Sequence, residues 1–571
     1  MGEGTTKKAE APDDGSSLEP ARSPRDWLGG APLSERVHLA LGFFLPSVLL
    51  LWNLAKLRPF TIDDAYISYR YSRNFAKGLG LVYNEGERIE GYTNFSWTLL
   101  LGLGIKLGLD PDVFAKAMGG AAACGALWAA YQLEARLMRY RSLPAISPWL
   151  LASSVPFVGY SVFGLETGFF IFLVLIGTEM IFRENDRGDW RTNWRTAFPW
   201  SGLVFGLAGI TRPEAPAFLG IPMLFLGLRF FAPQNLLRGV LFVAPVGLHM
   251  LWRKSYYGGW LPNTLSAKTG NLDGQIKAGL RYVTEYAGTV WPALFLALFG
   301  LCLAIILLHR RALCLAAMGL FVAGYTVLVG GDWMPMHRFM APFEPYAFIV
   351  AGFGARALFD GALDGRRSQR AWRYVAYGGL VLAVFVAAGT TYQRGKRFAV
   401  GEERILRDEK VFWDSAAGGT AHWMLANTEP GEIGVGDIGY IGYVTDFPIL
   451  DLLGLVDPVI SKLPGGYTQK TGAGYVEHVF NKMPRYFVFI GSRDGCEKLA
   501  FPSQDKLRRH PKFVRAGYKA TGKIKHAKGG YWCVFDRGPG EPPPMDDLKD
   551  LRPPRPAVRT LPPGAASAVT R

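Results

Sequence analysis

Two adjacent carboxylates, Asp63 and Asp64, stand in the stretch TIDDAYISYR (61–70), just beyond an apolar run long enough to cross a membrane. A carboxylate within hydrogen-bond reach of a hydroxyl takes its proton as that oxygen attacks an electrophile. Its neighbour would then orient it or hold a cation. The same residues also suit plain helix chemistry, since Thr61 is of a type that caps helices and acids in a first turn complement the dipole. The pair alone leaves both readings open.

Further polar residues punctuate the apolar sequence. They are Tyr92 and Asn94 in GYTN, Glu166 in VFGLETG, Arg212 and Glu214 in ITRPEAP, Asn263 and Lys268 in YYGGWLPNTLSAKTG, and Asp332 with Arg338 in GGDWMPMHRF. Each has a structural explanation: Pro213 and Pro262 end spans, Arg338 anchors an interface, and Glu166 pairs with Arg212. Together they place carboxylates and cations beside an apolar wall. That is what a site needs to handle a phosphate whose tail lies in lipid.

The elements that would position them are membrane helices. The chain has 571 residues, 49% of them hydrophobic, gathered into blocks. Val37–Leu57 reads as an uncleaved signal anchor after a polar tail. Further blocks lie near 95–135, 147–163, 166–182, 198–211, 215–231, 236–252, 290–308, 312–330, 338–359 and 372–390. With the N-terminus inside, and 95–135 making one net crossing, Arg136, Arg183, Arg229, Arg310 and Arg356 with their neighbours fall in inner loops, as the positive-inside rule requires. The expectation is a polytopic α-helical membrane protein of about 11 spans, with a C-terminal exterior mixed α/β domain. Its parts are a disordered cytoplasmic tail (1–36), a transmembrane catalytic region (37–390) whose first exterior loop is 58–94, the α/β domain (391–540), and a disordered Pro-rich tail (541–571). All the polar clusters then face the exterior. The formal charge of +16 is largely topology signal, so no nucleic acid is implied.

In the exported region EIGVGDIGYIGYV, PRYFVFIG and GYWCVFDRG read as strands, and LRDEKVFWDSAAGGTAHWMLANT as helix. GVGDIG (434–439) matches the glycine pattern of dinucleotide sites, but the strand-like YIGYV after it and the exterior placement argue against one. Neither a P-loop nor an HExxH motif is present. Cys496 and Cys533 fall where a disulfide persists if the two thiols approach closely.

These residues carry a resemblance. IDDAYISYRYSRNFAKGLGLVYNEGERIEGYTNFSWTLLLGL (62–103), GLETGFF (164–170), TRPE (211–214), YYGGWLPNTLSAKTG (256–270), GGDWMPMHRF (330–339) and IGYIGYVTDFPILDLLGLVDPVI (438–460) are similar to stretches of the GT-C superfamily. These are polytopic glycosyltransferases that use polyprenyl-phosphate sugars, and the likeness is to the bacterial arabinofuranosyltransferases that add terminal residues to cell-wall arabinan. The resemblance implies a first exterior loop bearing the catalytic acid, a polyprenyl-phosphate sugar donor and an exterior C-terminal domain in a bacterial plasma membrane. On this reading Asp63 is the general base, with Asp64 orienting it or holding a divalent cation. Arg338, Lys268 and Arg212 take the leaving phosphate, and Asn263, Asp332, Glu166, Tyr92 and Asn94 complete the donor site. Tyr66, Tyr69 and Tyr92 stack on sugar faces or belong to the interfacial belt. The sugar would be arabinofuranose or a related pentose, and the acceptor a cell-envelope glycan or glycolipid. The rival is a lipid-linked sugar transporter or flippase. Transporters place ionisable residues near the midplane within repeated halves, whereas these motifs lie at span ends.

Overall fold

A computed structural model describes residues 33–137, 144–188, 191, 194–268, 272–363, 389, 403–464, 470 and 474–540. The chain divides into two compact units, one of residues 1–262 and 271–410, the other of 263–270 and 411–571. The first is helical. Its elements are α1 (Glu35–Leu57), α2 (Asp63–Ala76), α3 (Phe95–Lys106), α4 (Pro111–Leu137), α5 (Ser147–Ala152), α6 (Val155–Val162), α7 (Thr167–Asp186), α8 (Ser201–Gly209), α9 (Ala215–Phe225), α10 (Pro233–Tyr257), α11 (Leu272–Ile306), α12 (Arg310–Val329) and α13 (Glu344–Leu363).

Among the described residues, α1, α4, α10, α11 and α12 are each long and apolar enough to cross a membrane. The pair α6 and α7, bent by 115°, adds a sixth if it is one span. The chain is therefore a multi-pass helical membrane protein, and among the described residues fewer helices are full-length than the apolar blocks imply. The blocks at 147–163, 198–211 and 215–231 fold as short helices of 6, 8, 9 and 11 residues, and 372–390 lies almost wholly outside the described residues. Helix α3, at 12 residues, is too short to span alone.

Small side chains let these helices approach. Water supplies no hydrophobic drive between helices in lipid, so close packing must hold them. In α4 the buried positions include Ala115, Gly119, Ala122, Ala126 and Ala130. A Cβ at Gly119 would sit 1.9 Å from the Ser161 carbonyl oxygen, so any larger residue there would push α6 away. Carbonyl to α-carbon contact of this kind fixes where the loop after α6 emerges.

The second unit is a mixed α/β domain. Strands β1 (Ile433–Val435), β2 (Ile449–Asp451), β3 (Tyr486–Ser492), β4 (Gly495–Leu499), β5 (Lys519–Lys525) and β6 (Tyr531–Asp536) form one sheet in the order β2-β1-β3-β6-β5, with β4 beside β3. β1 runs parallel to β2 and β3, while β3, β6 and β5 are antiparallel. Phe487, Phe489, Phe513, Phe535 and Tyr518 build its core. A disulfide joins Cys496 on β4 to Cys533 on β6.

One strand expectation is corrected. Only Ile433–Val435 of EIGVGDIGYIGYV is a strand, and Gly439–Thr445 is helical, because a five-residue aromatic and β-branched run fits either period. The glycine pattern thus does sit between a strand and a helix, and the secondary-structure argument against it fails. That helix has only seven residues.

Candidate active site

Helix α2 begins at Asp63, so both carboxylates occupy its first turn. Ile62 is the cap residue and no side chain caps the helix. Thr61, expected as a cap, instead donates its hydroxyl to Asp112 Oδ1 at 2.8 Å. Asp63 is buried and Asp64 half-buried.

The GLET loop closes over this turn. Ile62 N–H donates to the Phe163 carbonyl at 3.2 Å, and the Trp97 indole donates to the Gly164 carbonyl at 3.1 Å. Gly164 has φ +92°, and a Cβ there would lie 2.3 Å from the Tyr69 hydroxyl. The glycine of this motif is therefore demanded both by conformation and by space.

Glu166 then links three of the expected residues. Its Oε2 accepts from Asn94 Nδ2 at 2.8 Å, and its Oε1 from Arg212 Nη1 at 2.9 Å. Arg212 Nε reaches Glu214 Oε1 at 2.6 Å, so one guanidinium bridges two carboxylates. Asn94 is held in turn by Ser68 and Thr98.

Arg338 pairs with Asp332 at 2.5 Å. It follows Met336 and His337, both left-handed at φ 63° and 54°. Such backbone is costly for residues with a Cβ and collects at functional sites. Phe339 lies between the two cations, its ring 4.9 Å from the Arg338 guanidinium and 5.9 Å from that of Arg212. Against burial and the nearby Arg212 charge, Asp332 and then Glu166 hold the Arg338 guanidinium more firmly protonated than usual. Tyr160 completes the set: its hydroxyl donates to the Pro335 carbonyl at 2.5 Å, and it lies within electrostatic range of Asp332, Arg338 and Asp64. A recess beside Arg212 and Glu214 is walled by Phe218, Phe321, Tyr325 and Phe339.

The structure thus joins Asn94, Glu166, Arg212 and Glu214 in one network and Asp332 with Arg338 in another, and it sets Asp63 and Asp64 in the first turn of α2 beside the GLET loop. The other expected residues have surroundings of their own or lie outside the described side chains. Tyr92 is 4% exposed, its hydroxyl 3.0 Å from that of Tyr257 and its ring edge-on to Tyr71, so it is a packing residue with no free face for a sugar. Asn263 belongs to the second unit, where its Nδ2 donates to the Gly454 and Leu455 carbonyls at 2.8 and 2.9 Å and its Oδ1 accepts from Ser461. Its amide is spent on backbone there. Lys268 ends the short helix Asn263–Lys268, and its side chain is outside the described residues. Tyr69 is also buried, its hydroxyl 3.1 Å from Asp112 Oδ1.

Sequence reasoning missed Asp112, Lys116 and Tyr160. Asp112 follows a proline at a helix start and Lys116 lies four residues on, a spacing that reads as an ordinary surface ion pair. Among the described residues, no group of three or more His, Cys, Asp or Glu side chains converges to hold a metal ion.

A domain family described as "Domain of unknown function (DUF8728)" matches residues 407–536. A terminal beta-(1->2)-arabinofuranosyltransferase of Mycobacterium tuberculosis is 26% identical over 68% of this chain and 68% of its own length. One of Corynebacterium glutamicum is 24% identical over 62% of this chain and 55% of its own. Among solved structures, the Archaeoglobus fulgidus oligosaccharyltransferase AglB, in complex with an inhibitory peptide and a dolichol-phosphate, has a TM-score of 0.55 at 12% identity, covering 88% of this chain and 74% of that one. ArnT of Cupriavidus metallidurans bound to undecaprenyl phosphate has a TM-score of 0.52 at 13% identity, covering 90% of this chain and all of that one. Similar in sequence to terminal arabinofuranosyltransferases and sharing the fold of AglB and ArnT, the chain is a membrane glycosyltransferase.

Proposed function

We propose that the protein transfers arabinofuranose, or a related pentose, from a polyprenyl-phosphate donor to a cell-envelope glycan or glycolipid on the exterior face of a bacterial plasma membrane. The observation that carries this reading is the pairing of Arg212 with Glu166 and Glu214 and of Arg338 with Asp332, both guanidiniums lying over the Phe339 ring. In the proposed step the acceptor hydroxyl attacks the anomeric carbon, its proton passes to Asp63, and the bond from that carbon to the phosphate oxygen breaks. The phosphate leaves as an anion stabilised by Arg338 and Arg212, with no acid required. Lys268 is a third candidate for that charge.

The dolichol-phosphate bound to AglB and the undecaprenyl phosphate bound to ArnT support the donor class. The Cys496–Cys533 disulfide supports an exterior second unit, because such bonds persist in oxidising compartments. A divalent cation held at Asp64 would help to neutralise the leaving phosphate.

The test is incubation of the purified protein with a panel of polyprenyl-phosphate pentoses and hexoses, following sugar release and transfer, with and without chelator. Transfer from a pentose donor is expected. Movement of donor across a vesicle membrane without release of sugar would overturn the reading.

A further inference from the structure

We infer that Asp112 and Lys116, at the start of α4, are positioning residues for the acid pair on α2; this rests on the catalytic reading of Asp63. The geometry is a clamp on the chain just before the acids. Thr61 Oγ1 donates to Asp112 Oδ1 at 2.8 Å and accepts from Lys116 Nζ at 2.6 Å, while Lys116 also donates to Asp112 Oδ2 at 2.7 Å. Each of the three groups is thereby bonded to the other two. Tyr69, two turns along α2, donates to the same Asp112 Oδ1 at 3.1 Å. Asp112 therefore grips α2 at two points that flank Asp63 and Asp64.

Ordinary helix chemistry does not account for this arrangement. Asp112 and Lys116 are an i,i+4 pair on α4, yet the lysine side chain is only 9% exposed, and its ammonium is turned onto Thr61. An ammonium held in that way has exchanged much of its hydration for two specific acceptors. The start of α2 lacks a side-chain cap, so its position comes from outside the helix. The clamp supplies it together with the Phe163–Gly164 loop, which meets the same Thr61 and Tyr69. Displacing a reacting group by about 1 Å can cost about 10²-fold in rate, and a general base on a helix start is exposed to such displacement.

The consequence concerns turnover more than substrate affinity. In the purified full-length protein, Asp112→Asn and Thr61→Val are expected to lower kcat about 10- to 100-fold with donor KM changed less than about threefold. Thr61→Ser, which keeps the hydroxyl, should restore most of the rate. The discriminating measurement is a cycle with Asp63→Asn. If Asp112 acts through Asp63, adding Asp112→Asn to the Asp63→Asn protein causes little further loss. Near-normal turnover by Asp112→Asn, in a protein where Asp63→Asn is inactive, overturns the clamp and leaves the base intact. Near-normal turnover by Asp63→Asn overturns the base itself. An unfolded Asp112→Asn protein, seen as a collapsed melting midpoint, moves the decision to Thr61→Val, whose full activity would equally refute the clamp.

Discussion

At the scale of single residues, the same two acids serve helix and chemistry, and substitution separates the roles. Asp63→Asn preserves size and place in the first turn but removes proton affinity, so transfer should fall about 10²- to 10⁴-fold with the folded protein level unchanged. If the acids only complemented the dipole of α2, each asparagine would cost at most about 1 kcal/mol and spare turnover. Asp64→Asn should be milder, although adjacent acids titrate as a pair and their roles can exchange. Assay of both variants in one membrane preparation decides between these outcomes. Arg212 makes a different demand. It bridges Glu166 and Glu214 with two edges of one guanidinium, and all three side chains are at most 10% exposed. Lysine keeps the charge but offers a single point of donation. Arg212→Lys should thus leave one buried carboxylate poorly paired, lowering stability by about 1–3 kcal/mol, read as an earlier melting midpoint.

At the scale of elements, the first loop shows what the sequence could and could not disclose. The alternation of apolar blocks and Arg-bearing loops predicts membrane helices, and the strand runs at 486–492 and 531–536 lie where strong β patterns place them. Glu166 and Arg212 were also foreseeable as a pair, since two opposite charges at span ends seldom stay apart. The clamp at Asp112 was not, because its partners are 51 and 43 residues distant. No local period encodes such a distance. Nor could the burial of Tyr92 be read from its neighbours. The same loop holds Glu90, 2.7 Å from Arg253 on α10. Burial raises the Glu90 pKa from its usual 4.5 to about 7, with Arg253 pulling the other way. Between those values the folded protein binds more protons than the unfolded chain, so stability falls as pH rises from about 4.5 to about 7 and is flat above. The effect is at most about 3 kcal/mol. Asp451, raised by burial to about 6, adds a slope of the same sign at lower pH. Glu90→Gln should reduce the pH dependence of the melting midpoint while lowering the midpoint itself, since Arg253 loses its partner. An unchanged slope would show that Glu90 titrates in the folded protein as it does unfolded.

At the scale of the whole molecule, we propose that the loop after α1 and the domain after residue 410 are both outside the cytoplasm. Helix α10 ends at Tyr257 and α11 begins at Leu272, and residues 263–270 between them belong to the second unit. The chain therefore passes into that unit twice, once from α10 and again after residue 410. On the proposed topology both junctions open on the exterior, with an even number of crossings between them. The Arg-rich loops predict that this face is exterior, with the connection after α7 inside. Single cysteines at Lys77 and Lys462, both exposed, and at Arg187 test the arrangement. The background is a protein whose free cysteines, Cys124, Cys302 and Cys314, are replaced by serine while the Cys496–Cys533 bridge is kept. In intact cells an impermeant thiol reagent should label Lys77→Cys and Lys462→Cys, and should label Arg187→Cys only after the membrane is opened. Labelling of Arg187→Cys alone in intact cells would invert the protein and place Asp63 in the cytoplasm, where an exported acceptor could not reach it. Labelling of Lys462→Cys without Lys77→Cys would put residue 462 and the loop after α1 on opposite faces and overturn the proposed topology.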